Sequence, residues 1–166
     1  AADKAPVWHP FTQRRDWCDD AHEPLVIVRG RGATLTDARG RDYIDGNSSI
    51  WTNIHGHSHP RIVAALREQA GKLAHSSFLG FTNEPAIRLA EKLAGLFPPG
   101  ALPRVFFTDN GSTAIEVALK MAVQYNQLTG RPEKCRFAAF ERAYHGDTAG
   151  AASLGGIEAF HGRFGP

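Results

Sequence analysis

The chain is short of cross-linking residues, of charge of one sign and of long apolar runs. Two cysteines, Cys18 and Cys135, stand far apart in 166 residues. They match no metal-ligand or redox spacing, so no disulfide framework is expected and a reduced, cytoplasmic setting is the default. The formal net charge of +2 comes without any long basic or acidic run, which removes the electrostatic footprint of a nucleic-acid binder. No apolar stretch approaches the roughly 18 residues of a spanning helix. The leading "AADKAPVWHPFTQ" lacks the apolar core of a signal peptide. The expectation is a protein with neither membrane nor nucleic-acid partners. The end, "FHGRFGP", offers no final helix or charged tail to close a fold.

What is present reads as one domain of ordinary composition, 42% hydrophobic and 22% charged. Residues 1–24 are broken by Pro6, Pro10 and Pro24 and read as an arm lying on a surface. In "LVIVRGRGATLTDARGRDYIDG", Leu25–Arg29, Ala33–Asp37 and Asp42–Asp45 are short strands of a β-meander with glycine-bearing turns. A loop without period, "NSSIWTNIHGHSHP", leads to Pro60, which suits the first position of a helix. Ile62, Val63, Leu66, Ala70 and Leu73 then recur at helical spacing. A second helix carries Ile87, Ala90, Leu93, Ala94 and Phe97 and stops at Pro98-Pro99-Gly100.

From Arg104 the pattern becomes strand, helix, strand, helix. "RVFFT" and "RFAAF" read as short buried strands, "STAIEVALKMAVQYNQLTG" as a helix ended by Gly130, and "ERAYHGDTAGAASLGG" as a loop entering a small-residue helix. This alternation predicts an α/β fold with a mostly parallel sheet.

The turn in "FFTDNGSTAIEVALKMA" is the first chemical candidate. Gly111 lets a ligand approach the backbone. Thr113 and Glu116 have capping-box spacing, with Ser112 a competing N-cap. The first N–H groups of a helix are unpaired and its dipole is positive there, so the end suits a phosphate. The plain alternative is a strand-to-helix turn that merely favours small polar residues. The P-loop spacing is absent.

Five segments then occur in order: "WHPFTQ" (8–13), "DGNSSIWTNIHGHSHP" (45–60), "AHSSFLGFTNEPAIRLAEKL" (74–93), "DNGSTAIEVALKMAVQY" (109–125) and "YHGDTAGAASLG" (144–155). Together they resemble the adenosylmethionine–8-amino-7-oxononanoate aminotransferases, the 7,8-diaminopelargonic acid synthases of biotin biosynthesis. These are class III aminotransferases of pyridoxal phosphate (PLP) fold type I. The resemblance implies that residues 1–48, arm and meander, belong to a small domain built from both chain ends. Residues 49–166 would begin the large PLP-binding α/β domain of a homodimer. It also implies that Gly111 and Ser112 hold the PLP phosphate, with Thr113 adding an N–H, and that Tyr144 packs near the PLP ring within reach of substrate. Asp147 matches a polar residue of the same site.

Phe11, Ile50 and Trp51 fall on the substrate side. Phe11 replaces the tyrosine of the family's arm, and Ile50-Trp51 stands where some members have Trp-Trp. Those departures leave the amino donor open between S-adenosylmethionine and lysine; the acceptor implied is 8-amino-7-oxononanoate. The family's Schiff-base lysine lies downstream of Pro166, and Lys4, Lys72, Lys92, Lys120 and Lys134 lie outside the matching motif. The expectation is therefore the N-terminal portion of a longer enzyme, inactive alone and left with exposed sheet edges.

Other readings compete. His55, His57 and His59 suggest a metal site, but alternate loop residues rarely converge on one ion, and loop packing or N-capping is the simpler role. Tyr144, His145 and Asp147 could be acid–base groups. A hydrolase pair using Ser112 lacks the G-x-S-x-G elbow. Within the enzymes, an ω-amino acid–pyruvate transaminase is the runner-up. Outside them stands a non-catalytic phosphate- or PLP-binding fragment.

Overall fold

A computed structural model describes residues 2–158 and 162. The chain falls into two compact units, Ala1–Phe81 and Thr82–Pro166. The break follows Phe81, so the arm and meander lie wholly inside the first unit. Most of the terminal "FHGRFGP" lies outside the described residues.

The first unit is organised by an antiparallel meander of β1 (Ile27–Arg31), β2 (Thr34–Asp37) and β3 (Asp42–Ile44), in the order β1-β2-β3. Arg31 pairs with Thr34, leaving a two-residue turn whose first member, Gly32, has φ +55°; glycine favours this left-handed region. The β2–β3 turn is held from within. Asp37 is buried, and its Oδ1 accepts the N–H groups of Arg39 and Arg41, both at 2.9 Å. Its Oδ2 accepts from Arg41 Nε at 2.8 Å and from the Tyr43 hydroxyl at 3.0 Å. In the arm before the meander, Asp3 accepts from Trp17 Nε1 at 2.9 Å, and α1 (Arg14–Cys18) carries that indole.

After β3 the chain makes a short turn, α2 (Ser48–Trp51), and then α3 (Pro60–Lys72), with Pro60 in its first turn as expected. The second unit contains α4 (Glu84–Ala94), α5 (Gly111–Leu128) and α6 (Ala149–Leu154). α5 ends as its sequence predicts. Gly130 takes φ +74°, its N–H donates to the Gln127 carbonyl, and the Arg131 N–H donates to Asn126 at 2.8 Å, which is the paired C-terminal motif glycine permits.

Two expectations fail locally. "RVFFT" (104–108) and "RFAAF" (136–140) are not hydrogen-bonded strands; among the described residues the meander is the only sheet. A parallel strand exists only through its ladder neighbours, and neither segment has one here. The apolar stripes of α3 and α4 exist but stay uncovered, with no buried residue in either helix. Among the described residues the buried apolar side chains are Ala151 and Ala152, where α6 packs on α5.

Candidate active site

The start of α5 is capped by Asn110, not by Thr113 boxed with Glu116 or by Ser112 as the sequence suggested. Asn110 is the N-cap, and its Oδ1 accepts the Thr113 N–H at 3.0 Å. The Thr113 hydroxyl oxygen accepts the Asn110 N–H in return, at 3.1 Å, closing a reciprocal box. Asn wins because an N-cap side chain must reach the third helical N–H, and Asn110 stands three residues before Thr113.

Thr113 is thus consumed as a capping residue, and the Ala114 N–H is paired to the Asn110 carbonyl. The N–H groups of Gly111 and Ser112 have no partner among the described residues. A Cβ placed on Gly111 would meet nothing within 4 Å. The end of α5 therefore offers two unspent donors and open space above them.

The loop before α6 is tied to this terminus. Ser112 Oγ accepts the Asp147 N–H at 3.0 Å, so its own proton remains available to donate. A Cβ on Gly146 would stand 2.0 Å from Ser112 Oγ; only glycine allows the approach. The Tyr144 hydroxyl donates to Asp147 Oδ2 at 2.6 Å. That hydrogen bond, with burial added, raises the Tyr144 pKa above its ordinary value, so the phenol keeps its proton at neutral pH. The bond bypasses His145, whose buried Nε2 has no hydrogen-bond partner among the described residues; the three do not form one relay.

Gly111, Ser112, Thr113, Tyr144 and Asp147 are thus gathered in the second unit. Phe11, Ile50 and Trp51 lie in the first. They are 83%, 66% and 74% exposed, and all three hold left-handed backbone, at φ +51°, +58° and +65°. Ser48 and Ser49 do the same, at +54° and +50°. The Ser48–Trp51 turn is thus left-handed throughout, which costs about 1–2 kcal/mol per residue with a side chain.

Sequence reasoning missed what holds that turn. Asp45 accepts from Ser49 N (2.9 Å), Ser49 Oγ (2.8 Å) and His57 Nε2 (2.7 Å). The Ser49 N–H first, then His57 and the Ser49 hydroxyl, lower the Asp45 pKa. His57 is itself fixed by a two-way backbone bridge to Gly32. Its neighbours behave differently: the His55 and His59 rings sit 6.1 Å apart, edge to face, and His59 occupies the α3 N-cap without a side-chain cap. Among the described residues no group of three or more His, Cys, Asp or Glu could hold a metal ion. Likewise, no helix there is long and apolar enough to cross a membrane.

The profile of the class III aminotransferases matches residues 18–166. The chain belongs to that family. An adenosylmethionine-8-amino-7-oxononanoate aminotransferase from Geobacter sulfurreducens is 52% identical over 99% of this chain and 36% of its own length. The crystal structure of the enzyme of the same name from Methanocaldococcus jannaschii superposes with TM-score 0.91 at 44% identity, over 98% of this chain and 36% of that one. An (S)-enantioselective omega-transaminase from Thermomicrobium roseum superposes at 0.90 with 38% identity, covering 99% and 36%. The chain spans about a third of the length of the relatives it matches. The α/β fold type I class read from the sequence is the fold of these neighbours, and members of the family depend on PLP.

Proposed function

We propose that the complete natural protein transfers an amino group to 8-amino-7-oxononanoate, giving 7,8-diaminononanoate in biotin biosynthesis. The observation that carries the reading is the end of α5. The N–H groups of Gly111 and Ser112 are unpaired among the described residues and the Ser112 hydroxyl keeps its proton to donate, at a helix end where a phosphate is favoured. Neutral hydroxyl, unpaired N–H donors and a positive helix end fit a phosphate better than a cation.

In this reading Gly111 and Ser112 anchor the PLP phosphate. Tyr144 presents a ring face and a protonated hydroxyl to the cofactor site. Asp147 fixes that hydroxyl through its 2.6 Å bond while its own N–H orients Ser112. When bound, PLP supplies the electron sink that lets an amino group leave one carbon and join another. Phe11, Ile50 and Trp51 line the substrate side, and with relatives named for adenosylmethionine, S-adenosylmethionine is the donor we favour over lysine. We further propose that the polypeptide continues beyond Pro166 and that the Schiff-base lysine lies there, so that this chain alone is inactive. Residues 1–48 join a small domain, residues 49–166 open the large one, and the complete enzyme is a cytoplasmic homodimer.

Replacing Ser112 by Asp in the complete protein sets a carboxylate against the phosphate. PLP affinity should fall by more than about tenfold; unchanged affinity sinks the site. Borohydride reduction with PLP, followed by intact-mass and peptide mapping, should place one adduct beyond Pro166. An adduct within residues 1–166, or none, refutes that part. The likeness to an omega-transaminase supports a second reading, in which the acceptor is pyruvate. Turnover with 8-amino-7-oxononanoate and with pyruvate, each paired with S-adenosylmethionine or lysine, separates the two.

A further inference from the structure

Ser112 and Glu116 stand four residues apart on α5, and so on one face of the helix. Both reach the same segment. Ser112 Oγ accepts the Asp147 N–H at 3.0 Å. Glu116 Oε1 accepts the Gly150 N–H at 2.7 Å and the Ala151 N–H at 3.3 Å. Those are the second and third residues of α6, whose N–H groups an N-cap side chain would ordinarily satisfy. Thr148, the N-cap, makes no side-chain cap hydrogen bond. Glu116 thus caps a helix to which it does not belong.

The packing supports that role. A Cβ on Gly150 would lie 2.5 Å from Glu116 Oε2. Ala151, beside it, is fully buried. The carboxylate therefore sits so close to the start of α6 that only a glycine fits at position 150. The Thr148 hydroxyl first, and then the two N–H groups, hold the Glu116 pKa below its ordinary value, so the group is charged at neutral pH.

We propose that Glu116 is a positioning residue for the cofactor site: by gripping the start of α6 it holds the Tyr144–Asp147 loop in register with Ser112. The proposal rests on the reading of Gly111 and Ser112 as a phosphate site, and predicts that reach matters more than charge. Glu116→Gln keeps an oxygen at the same distance; Glu116→Asp keeps the charge and withdraws it by one methylene.

In the complete protein, PLP dissociation constants and the melting temperature of the cofactor-free form are measured for both variants and for Ser112→Asp. Glu116→Gln should stay within about threefold of the natural protein, and Glu116→Asp should bind PLP about tenfold more weakly, the effect of losing one hydrogen bond to a charged group. Equal affinities for Glu116→Asp and the natural protein overturn the proposal, even if both variants melt early, because then Glu116 serves stability alone. Equal losses in both variants overturn it too, since the variant that keeps the reach would then fail as badly as the one that shortens it. If Ser112→Asp binds PLP normally, it is the phosphate-site reading that has failed.

Discussion

At Ser48–Trp51 four successive residues bearing side chains take left-handed backbone, two of them the large and exposed Ile50 and Trp51. Around the start of α5 the unusual positions are glycines: Gly146 has φ +130° and touches Ser112, and Gly111 opens space above the helix. In the first unit the strain falls on residues with a Cβ, and Asp45 and His57 hold the turn. In the second unit the positions without a side chain, Gly111 and Gly146, leave backbone N–H groups and open space at the start of α5. Strain of this kind gathers at functional positions because only the surroundings can maintain it. The first unit thus offers a side-chain surface and the second a backbone one.

The sharpest way to break this contrast is to put a methyl on each glycine of the backbone site. Gly146→Ala sets a Cβ within 2.0 Å of Ser112 Oγ at a φ that side chains rarely adopt. Overpacking of this sort should lower PLP affinity in the complete protein by roughly ten- to a hundredfold, and lower the melting temperature of the cofactor-free form as well. Gly111→Ala meets nothing in the chain. It should leave that melting temperature unchanged or raise it, since alanine favours helix, while still weakening PLP because the methyl takes the ligand's room. If both substitutions act alike on the two measurements, the space above Gly111 is not reserved for a ligand.

The turn in the first unit should respond in the opposite sense. Ile50→Gly removes a large side chain that is mostly solvent-exposed and relieves φ +58°. The gain of about 1 kcal/mol from the left-handed position offsets glycine's entropy, so the melting temperature should barely move. The KM for the amino donor should nevertheless rise several-fold. A large loss of stability with an unchanged KM would show that Ile50 is core and not a substrate surface.

How much of this was legible depends on whether a local residue carries the local reason. The meander was readable because Gly32 and Gly40 mark its turns, and the end of α5 because Gly130 does. The open start of α5 was readable as a glycine before small polar residues. The left-handed turn was not, since Ser-Ser-Ile-Trp carries no preference for positive φ; the cause lies in Asp45 and His57, twelve residues apart. Glu116 was misread for a related reason. Its spacing from Thr113 is that of a capping box, but Asn110 already serves that end and α6 lacks a cap of its own. The segments at 104–108 and 136–140 have the composition of buried strands, but the composition of a segment does not supply its ladder partner.

The smallest expected effect separates the two units by acid. Asp37 in the first and Glu116 in the second are both held ionised. Burial alone would raise Asp37, but the Arg41 N–H, its guanidinium, the Tyr43 hydroxyl and the Arg39 N–H bring it down to about 2. A carboxyl depressed on folding contributes stability that is fully present above its unfolded value. That contribution is lost as pH falls through its folded value. For Asp37 the window runs from 3.8 down to about 2; for Glu116 the loss begins below 4.5. Melting temperatures of the cofactor-free natural protein and of Asp37→Asn should therefore differ most above pH 4 and converge as pH approaches 2. The corresponding difference for Glu116→Gln should start to close at higher pH. Were the Asp37→Asn difference constant down to pH 2, the β2–β3 turn would not depend on the charge of Asp37, and the first unit would owe its shape to its glycine turns alone.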